Sequence, residues 1–245
     1  MSAILPPASN TRLVTIVAHV DHGKTTLADS LCEHNGIISE RLAGTMRYLD
    51  SMEEEQRRGI TIRSSAIGLK HTRTFPTKKK KGANNNNGQN NNDAGDNMVI
   101  HLIDSPGHVD FSMEVSSALQ ICDGAILVVD VVEGMCARTQ SILREAYSQR
   151  LVPILVLNKV DRLCTDLGLT VNESYVRLRS VIENVNAAAS AMISSAAANA
   201  SAHDADNRNQ NDNSADVNEQ ESLEEIWNFD PVLGNVVFTS ALFGT

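Results

Sequence analysis

The sequence has few aromatic residues and no long apolar run. Aromatic residues make up 4% of its 245 positions, although the total hydrophobic content of 42% is enough to form a core. No apolar stretch approaches the roughly 20 residues needed to span a bilayer. The start, MSAILPP, lacks the basic region and long apolar stretch of a secretory signal. We therefore expect a cytosolic or nuclear protein without membrane contact.

Cysteines are also few and widely spaced. They are Cys32, Cys122, Cys136 and Cys164. The absence of a CxxC pair argues against a zinc site and against a disulfide framework, so we expect reduced, mostly buried thiols. The net charge is -9, but residues 201–230 contain nine acidic residues and one arginine. Because the remainder is close to neutral, the bulk charge indicates little about partners.

Two segments differ in composition from the rest of the chain. Residues 71–97 contain four consecutive lysines followed mainly by Asn and Gly, and residues 187–222 are rich in Ala, Ser, Asn and Asp. Because neither can bury much apolar surface, both are predicted to be disordered insertions in a single domain spanning 1–245. The lysine run is interpreted as a solvated loop, with a nonspecific phosphate or rRNA contact as the alternative.

Between these segments, apolar runs alternate with stretches that have apolar residues at helical spacing. The predicted buried strands are 13–17, 98–103, 125–129, 154–157 and 236–238, with an additional edge strand at 60–69. The predicted helices are 24–34, 111–121, 138–149 and 173–185. This order predicts an α/β fold with a mostly parallel six-stranded sheet and helices on both faces.

Five short blocks occur where predicted strands meet loops, which is where ligands bind in such folds. In chain order they are AHVDHGKT (18–25), RGITI (58–62), DSPGH (104–108), NKVD (158–161) and SAL (240–242). As an ordered set they indicate a P-loop domain that binds GTP.

The first block follows a strand and opens a helix, which is the position of a phosphate-binding loop. Lys24 is predicted to reach the β and γ phosphates, and the Thr25 hydroxyl to bind Mg²⁺. Ala18 stands where the general pattern GxxxxGK[ST] has glycine, which is acceptable if its φ is negative. The predicted nucleotide-binding residues of this block and its flank are Ala18, His19, Val20, Asp21, His22, Gly23, Lys24, Thr25 and Thr26.

The second and third blocks carry the predicted catalytic residues that accompany Lys24. Asp104 is predicted to approach the metal through water, and Gly107 to place a backbone N–H near the γ-phosphate. His108 is the candidate for orienting the attacking water, against the alternative of a surface histidine. Thr61 is predicted to cap Mg²⁺ in the triphosphate state and so to form a switch, although a threonine entering a strand needs no such role.

The fourth and fifth blocks predict a guanine site. Asp161 would accept from the N1–H and exocyclic amine of guanine, a pair of donors that adenine lacks. Asn158 and Lys159 would hold the loops and cover the base. In the last block, formed by Ser240, Ala241 and Leu242, the Ala241 backbone N–H would donate to the guanine carbonyl oxygen.

These residues carry a family resemblance. AHVDHGKTTLADSL, RGITI, DSPGHVDFSMEVSSAL and NKVDR resemble the GTPase domain of translational factors of the elongation factor 2 group, over nearly all of the chain outside the two insertions. GIISERLAGTMRYLDSMEEEQRRGITIRSSAIGL, VVEGMCARTQ and GNVVFTSA are similar to the branch of elongation factor-like GTPases that mature the large ribosomal subunit. DPVLG is closer to the translocation factor, which usually has cysteine at the position of Gly59.

The resemblance implies functions that the residues alone do not. It gives His108 the catalytic-water role and Thr61 the Mg²⁺ cap, makes Val20 and Ile60 an apolar gate, and relates Asp21 to a monovalent-cation site. It implies cytoplasmic GTP hydrolysis stimulated by the ribosome. The subfamily further implies release of an anti-association factor from the late large subunit, with a Shwachman-Bodian-Diamond protein as partner.

The resemblance also implies a difference in length, since the family's C-terminal domains and the final helix of its GTPase domain are expected to be absent from this chain. Two alternatives stay open. One is a translocation GTPase like elongation factor 2. The other is a nucleotide-binding or subunit-binding module without productive hydrolysis.

Overall fold

The computed structural model describes residues 10–39, 41, 47–73, 96–204 and 225–244. The strands are, in chain order, β1 (Thr11–Ala18), β2 (Ser65–Arg73), β3 (Asp96–Asp104), β4 (Gly124–Asp130), β5 (Val152–Asn158) and β6 (Val236–Phe238). The α-helices are α1 (Lys24–His34), α2 (Glu53–Arg58), α3 (Ser112–Ile121), α4 (Ala137–Ser148), α5 (Asp161–Thr165) and α6 (Val171–Asp204). Two short 3-10 turns, Val109–Phe111 and Pro231–Leu233, precede α3 and β6.

The strands form a six-stranded sheet in the order β2-β3-β1-β4-β5-β6. The five strands from β3 to β6 in that order are parallel to their neighbours. The edge strand β2 is antiparallel to β3, with Ser65 opposite Asp104. The predicted α/β fold with a mostly parallel six-stranded sheet is confirmed. The first, third, fourth and fifth blocks begin at or just after the carboxyl ends of parallel strands, which lie at one edge of the sheet.

The edge strand begins later than predicted. The sequence placed it at 60–69, whereas β2 is Ser65–Arg73. Residues 62 and 63 instead donate their backbone N–H groups to the buried carboxylate of Glu55. Because these donors are already satisfied outside the sheet, the ladder with β3 starts only at Ser65.

Apolar side chains on the two faces of the sheet form two core clusters. On one face, Leu127 of β4 and Leu155 of β5 pack with residues of α3, α4 and α6. On the other, Ile16 of β1 and Val128 of β4 pack with residues of α1. Successive strand residues alternate between the clusters, as expected for a sheet covered by helices on both sides.

The predicted helix at 173–185 is much longer in the structure, and the predicted disorder of residues 187–204 is wrong. α6 continues to Asp204. Ala189, Met192 and Ile193 are buried in the same cluster as Trp227 and Phe229. These positions continue the helical spacing of the predicted part, and alanine has the highest helix propensity, so the segment has both a buried face and a favourable backbone. The rest of this predicted insertion, 205–222, lies outside the described residues.

Both ends of the other predicted insertion are also ordered. Residues 71–73 complete β2 and residues 96–97 begin β3, whereas 74–95 lie outside the described residues. The four cysteines are free, but Cys32 alone is fully buried and Cys164 is exposed, contrary to the expectation of mostly buried thiols. In the part of the chain that the structure describes, no helix is long and apolar enough to cross a membrane.

Candidate functional site

The loop between β1 and α1 has the local structure of an anion-binding loop. Ala18 still belongs to β1, so the position that is glycine in the general pattern keeps an extended backbone. Asp21 and Gly23 have left-handed φ angles of 63° and 88°. α1 begins at Lys24 without a side-chain cap. Because the first N–H groups of a helix have no partners within the helix, this start can bind a phosphate.

The Lys24 ammonium lies in a buried polar cluster that joins the first three blocks. Its Nζ atom is 2.5 Å from Asp104 Oδ1 and 3.2 Å from the Thr61 hydroxyl, to which it donates. The hydroxyls of Thr25 and Thr61 are 3.1 Å apart. Burial raises the pKa of Asp104, and the Lys24 ammonium beside it partly offsets that rise. Predicted metal and catalytic residues from three distant blocks therefore meet at one point.

This cluster offers the donor set of a Mg²⁺ site. Asp104 Oδ2 is buried and has no hydrogen-bond partner among the described residues. The hydroxyls of Thr25 and Thr61 add oxygen donors, which Mg²⁺ prefers. Burial raises the pKa of Asp29 to about 6, and the nearby charges of Asp104 and Asp50 add to the rise. A divalent cation would reduce this repulsion, so the predicted ligands fit the ion.

Two buried carboxylates that sequence reasoning missed hold the segment around Thr61. Asp50 Oδ1 accepts from the Thr61 hydroxyl at 2.8 Å, and Asp50 Oδ2 pairs with Arg47 at 2.7 Å. Glu55 accepts from the backbone N–H groups of residues 62 and 63. Burial raises the pKa of Glu55, but its backbone donors outweigh that effect and leave the pKa below its ordinary value. No sequence pattern marks these contacts, because they join α2 and the segment before it to the irregular segment around Thr61.

A cavity of about 440 Å³ lies beside the phosphate loop. His108, Val20 and Ile60 are on its wall with Gly107. The His108 side chain is 40% exposed, and its Nδ1 atom accepts from the backbone N–H of Asp110 at 3.2 Å. A Cβ atom at Gly107 would lie 3.3 Å from backbone atoms of the phosphate loop, so glycine allows the close approach of the third block. The residue predicted to position water and the two residues predicted to form an apolar gate thus share one wall.

Most of the predicted phosphate-loop residues face this cavity. The lining includes His19, Val20, Asp21, Gly23, Lys24, Thr25 and Thr26. Ala18 and His22 differ, because both are fully buried. The Ala18 side chain belongs to the core, and the His22 ring lies against the carbonyl oxygen of Val128 at 3.4 Å. Any contact of these two residues with a nucleotide is therefore through their backbone.

A second cavity, of about 360 Å³, lies between the fourth and fifth blocks. Its lining includes Gly23, Thr26, Asn158, Lys159, Asp161, Ala241 and Leu242. The two cavities are adjacent, because Gly23, Thr26 and Lys159 line both. The Ser240 hydroxyl donates to Asp161 Oδ1 at 2.5 Å and so fixes the carboxylate. A carboxylate therefore lies in the compartment where base recognition was predicted.

Asn158 joins the loops around both cavities. Its Nδ2 atom donates to the His22 carbonyl oxygen at 2.9 Å, and its Oδ1 atom accepts from the Ala241 N–H at 3.1 Å. The Ala241 N–H was predicted to reach the base. In the structure this N–H donates to Asn158, and its contact with guanine stays a prediction.

Asp130, another residue that sequence reasoning missed, fixes Lys159. Its Oδ2 atom is 2.8 Å from Lys159 Nζ and 2.9 Å from Arg162 Nη1. Burial raises the pKa of Asp130, but Lys159 and backbone donors outweigh it and hold the pKa below its ordinary value. Lys159 also donates to the Asp21 carbonyl oxygen. The sequence feature that could have drawn attention to Asp130 is its position as an acidic residue directly after the predicted strand 125–129.

The family model described as the elongation factor Tu GTP binding domain matches residues 9–244. The chain belongs to this family. Elongation factor-like GTPase 1 from Mus musculus and its Homo sapiens counterpart are each 44% identical to the chain over 96% of its length. Ribosome assembly protein 1 from Saccharomyces cerevisiae is 45% identical over 95%. The matches cover 20% of each relative, so the chain spans about a fifth of their length.

Family membership confirms the resemblance drawn from the motifs. A GTP-binding domain needs a phosphate site and a base site next to each other, and the two adjacent cavities are candidates for them. The cavity at the phosphate loop is the candidate for the first, and the cavity at Asp161 is the candidate for the second.

Replacement of Gly23 by alanine tests the contact between the phosphate loop and the base loop. A Cβ atom there would lie 2.3 Å from Asn158 Nδ2, and φ is +88°. We expect Gly23→Ala to lower the affinity for fluorescently labelled GDP at least roughly tenfold, since relieving the clash moves the loop.

Gly36→Ala is the matched control. Gly36 has a similar φ of +69°, but a Cβ atom added there would have no neighbour within 4 Å, so this variant isolates backbone strain from the clash. Both variants are titrated with labelled GDP after thermal melting has confirmed that they fold. The difference in their affinities shows whether the Asn158 contact matters. Equal affinities for the two variants would contradict the role of the Asn158 contact.

Proposed function

We propose that this domain binds GTP with Mg²⁺ and hydrolyses the bond between its β and γ phosphates. The observation that carries the proposal is the buried cluster of Lys24, Thr25, Thr61 and Asp104. It places an ammonium, two hydroxyls and a carboxylate beside an uncapped helix start. Phosphoryl transfer requires positioning and charge stabilisation of this kind more than covalent chemistry.

Lys24 and Thr61 connect phosphate binding to a conformational switch. Lys24 pairs with Asp104 in the structure, so phosphate oxygens become additional partners of the ammonium when GTP binds. Thr25 and Thr61, and Asp104 through water, would hold Mg²⁺, which would supply further positive charge at the β and γ phosphates when bound. When the γ-phosphate leaves, the segment around Thr61 loses part of what holds it, which reports the state of the nucleotide.

His108 orients the attacking water from the wall of the phosphate cavity. Water attacks the γ-phosphorus, the bond to the β–γ bridging oxygen breaks, and GDP and inorganic phosphate form. His108 acts through Nε2, since Nδ1 accepts from the Asp110 N–H. Val20 and Ile60 form the apolar gate beside it, and Asp21 contributes to a monovalent-cation site. Unassisted turnover is on the order of 10⁻⁴ per second in such proteins, so a partner supplies most of the acceleration.

The large ribosomal subunit is proposed as that partner on the motif resemblance, and a ribosome-related partner is supported by the names of the relatives. They include Elongation factor-like GTPase 1 and Ribosome assembly protein 1. We infer that hydrolysis in this domain is coupled, in the cytoplasm, to late maturation of the large subunit and to release of an anti-association factor. A Shwachman-Bodian-Diamond protein is the proposed protein partner. Translocation on whole ribosomes is the second candidate, favoured by the DPVLG sequence at 230–234.

Asp161 should set the preference for guanine. Two hydrogen bonds from guanine to a carboxylate are each worth about 1.5–3 kcal/mol. Asp161→Asn replaces an acceptor by a donor and should weaken binding of labelled GDP by roughly a hundredfold. Asp166→Asn is the control, because Asp166 lines the same cavity but is 48% exposed and paired with Arg162. If Asp161→Asn bound labelled GDP as tightly as the original chain, and bound labelled ADP equally tightly, Asp161 would have no role in base recognition.

Single-turnover GTP hydrolysis by the 245-residue chain tests the function itself. Purified large subunits and whole ribosomes should be compared at equal concentration. Greater stimulation by large subunits supports maturation, and greater stimulation by whole ribosomes supports translocation. Tight GTP binding without hydrolysis in either case would leave a binding module and refute the enzymatic proposal.

In the same assay, His108→Ala should lower stimulated hydrolysis by roughly a hundredfold or more, because a positioned catalytic group contributes about 10²–10⁴-fold. GTP affinity should change less than about twofold, because the ring does not hold the phosphates. His34→Ala is the matched control, since His34 is exposed at the end of α1. Equal hydrolysis rates for the two variants would remove His108 from the mechanism.

A further inference from the structure

Three side chains that can bind metal meet on the buried side of the phosphate loop. His22 Nε2 lies 3.2 Å from Glu133 Oε2 and 3.8 Å from Cys136 Sγ. All three ligand atoms are within 4.8 Å of one another. The spacing of cysteines along the sequence did not indicate this group, because folding brings together His22 and Cys136, which are 114 residues apart.

The hydrogen bonds of the His22 ring determine what its Nε2 atom offers. Nδ1 faces the Val128 carbonyl oxygen at 3.4 Å. A carbonyl and a carboxylate both only accept, so the tautomer with its proton on Nε2 donates to Glu133, whereas the tautomer with its proton on Nδ1 donates to Val128 and presents the Nε2 lone pair that metal binding requires. That lone pair then faces the Glu133 carboxylate and the Cys136 sulfur, which also carry lone pairs. Three electron-pair donors therefore converge, an arrangement that a cation satisfies.

The two separations from His22 Nε2 are close to those of a tetrahedral zinc site. Bonds of about 2.0–2.1 Å to nitrogen, 2.0–2.2 Å to oxygen and 2.3 Å to sulfur place N and O about 3.3 Å apart, and N and S about 3.6 Å apart. The observed distances are 3.2 and 3.8 Å. In addition, metal-bound histidines usually donate their second ring N–H to a carbonyl or carboxylate, and the Val128 carbonyl oxygen lies 3.4 Å from Nδ1 to accept it.

The loop between β4 and α4 holds two of the ligands in place without a metal. Asp130 Oδ1 accepts from the backbone N–H of Val132 at 2.7 Å, and the Gly134 N–H donates to the Asp130 carbonyl oxygen at 2.7 Å. Arg177 donates to the carbonyl oxygens of residues 131 and 132 from α6. These contacts fix the backbone on both sides of Glu133. The loop is therefore already in place before an ion binds.

We propose that His22 Nε2, Cys136 Sγ and a Glu133 carboxylate oxygen bind one borderline-soft divalent cation of the Zn²⁺ type, with water as the fourth ligand. The Cys136 thiol loses its proton to solvent as the metal–sulfur bond forms. The site is separate from the proposed Mg²⁺ site, whose donors are all oxygens. Because the His22 carbonyl oxygen also accepts from Asn158, the cation would anchor the phosphate loop from below.

Titration of the 245-residue chain with Co²⁺ tests this proposal, with excess Mg²⁺ and GDP present to occupy the other site. Thiolate-bound Co²⁺ has a near-ultraviolet charge-transfer band, which oxygen-bound Co²⁺ lacks. We expect the band to appear with one equivalent and to disappear when Zn²⁺ is added. Cys136→Ser should abolish it, and Glu133→Gln should weaken Co²⁺ binding at least roughly tenfold.

Cys164→Ser is the matched control, because Cys164 is exposed and should not contribute to the band. No band, or a band that persists in Cys136→Ser, would overturn the proposal. If Cys136→Ser does not fold, Glu133→Gln alone decides, because Glu133 is 45% exposed and its replacement leaves the core intact. Normal GDP binding with no Co²⁺ band would refute the cation site while leaving the GTPase proposal untouched.

Discussion

The hydrogen bonds of the buried Asn158 side chain are the contacts on which the rest of the site depends. The residue is 1% exposed. Its amide donates to the His22 carbonyl oxygen and accepts from the Ala241 N–H and the Thr239 hydroxyl. One side chain from the end of β5 thereby sets the positions of loops that follow β1 and β6. A buried amide must be paired, so these loops have one arrangement that satisfies all of its groups.

Buried charge pairs extend this arrangement toward chemistry. Lys24 with Asp104 lies on the phosphate side, and Lys159 with Asp130 lies on the base side. Each lysine is placed by a fully buried carboxylate at the end of a parallel strand, β3 or β4, so the sheet itself positions the cations. Such pairs cost desolvation energy and contribute little to stability alone, which is consistent with retention for ligand binding. Core packing therefore positions the carboxyl edge of the sheet, and the carboxylates at that edge position the two lysines.

The elements that could be predicted are those whose local sequence pattern also reflects their packing in the folded domain. α1 was predicted at its observed bounds, because the phosphate-loop block sets its start and apolar spacing sets its length. The roles of Asp50 and Glu55 could not be predicted, since their partners near Thr61 are set by the folded loop. The position of Asp130 directly after a predicted strand was a signal, but one that does not identify its partner Lys159. The extension of α6 was missed because its alanine-rich composition resembles a linker, whereas contact with Trp227 and Phe229 makes it part of the core.

Asn158 couples the phosphate loop to the base loop through its hydrogen bonds, and the affinity of Asn158→Ala for labelled GDP tests this coupling most directly. The variant leaves the His22 carbonyl oxygen and the Ala241 N–H buried without this partner, at about 1–3 kcal/mol each. We predict a loss of GDP affinity of roughly tenfold or more in a protein that circular dichroism shows to be folded. A folded variant that binds GDP as tightly as the original chain would contradict the account.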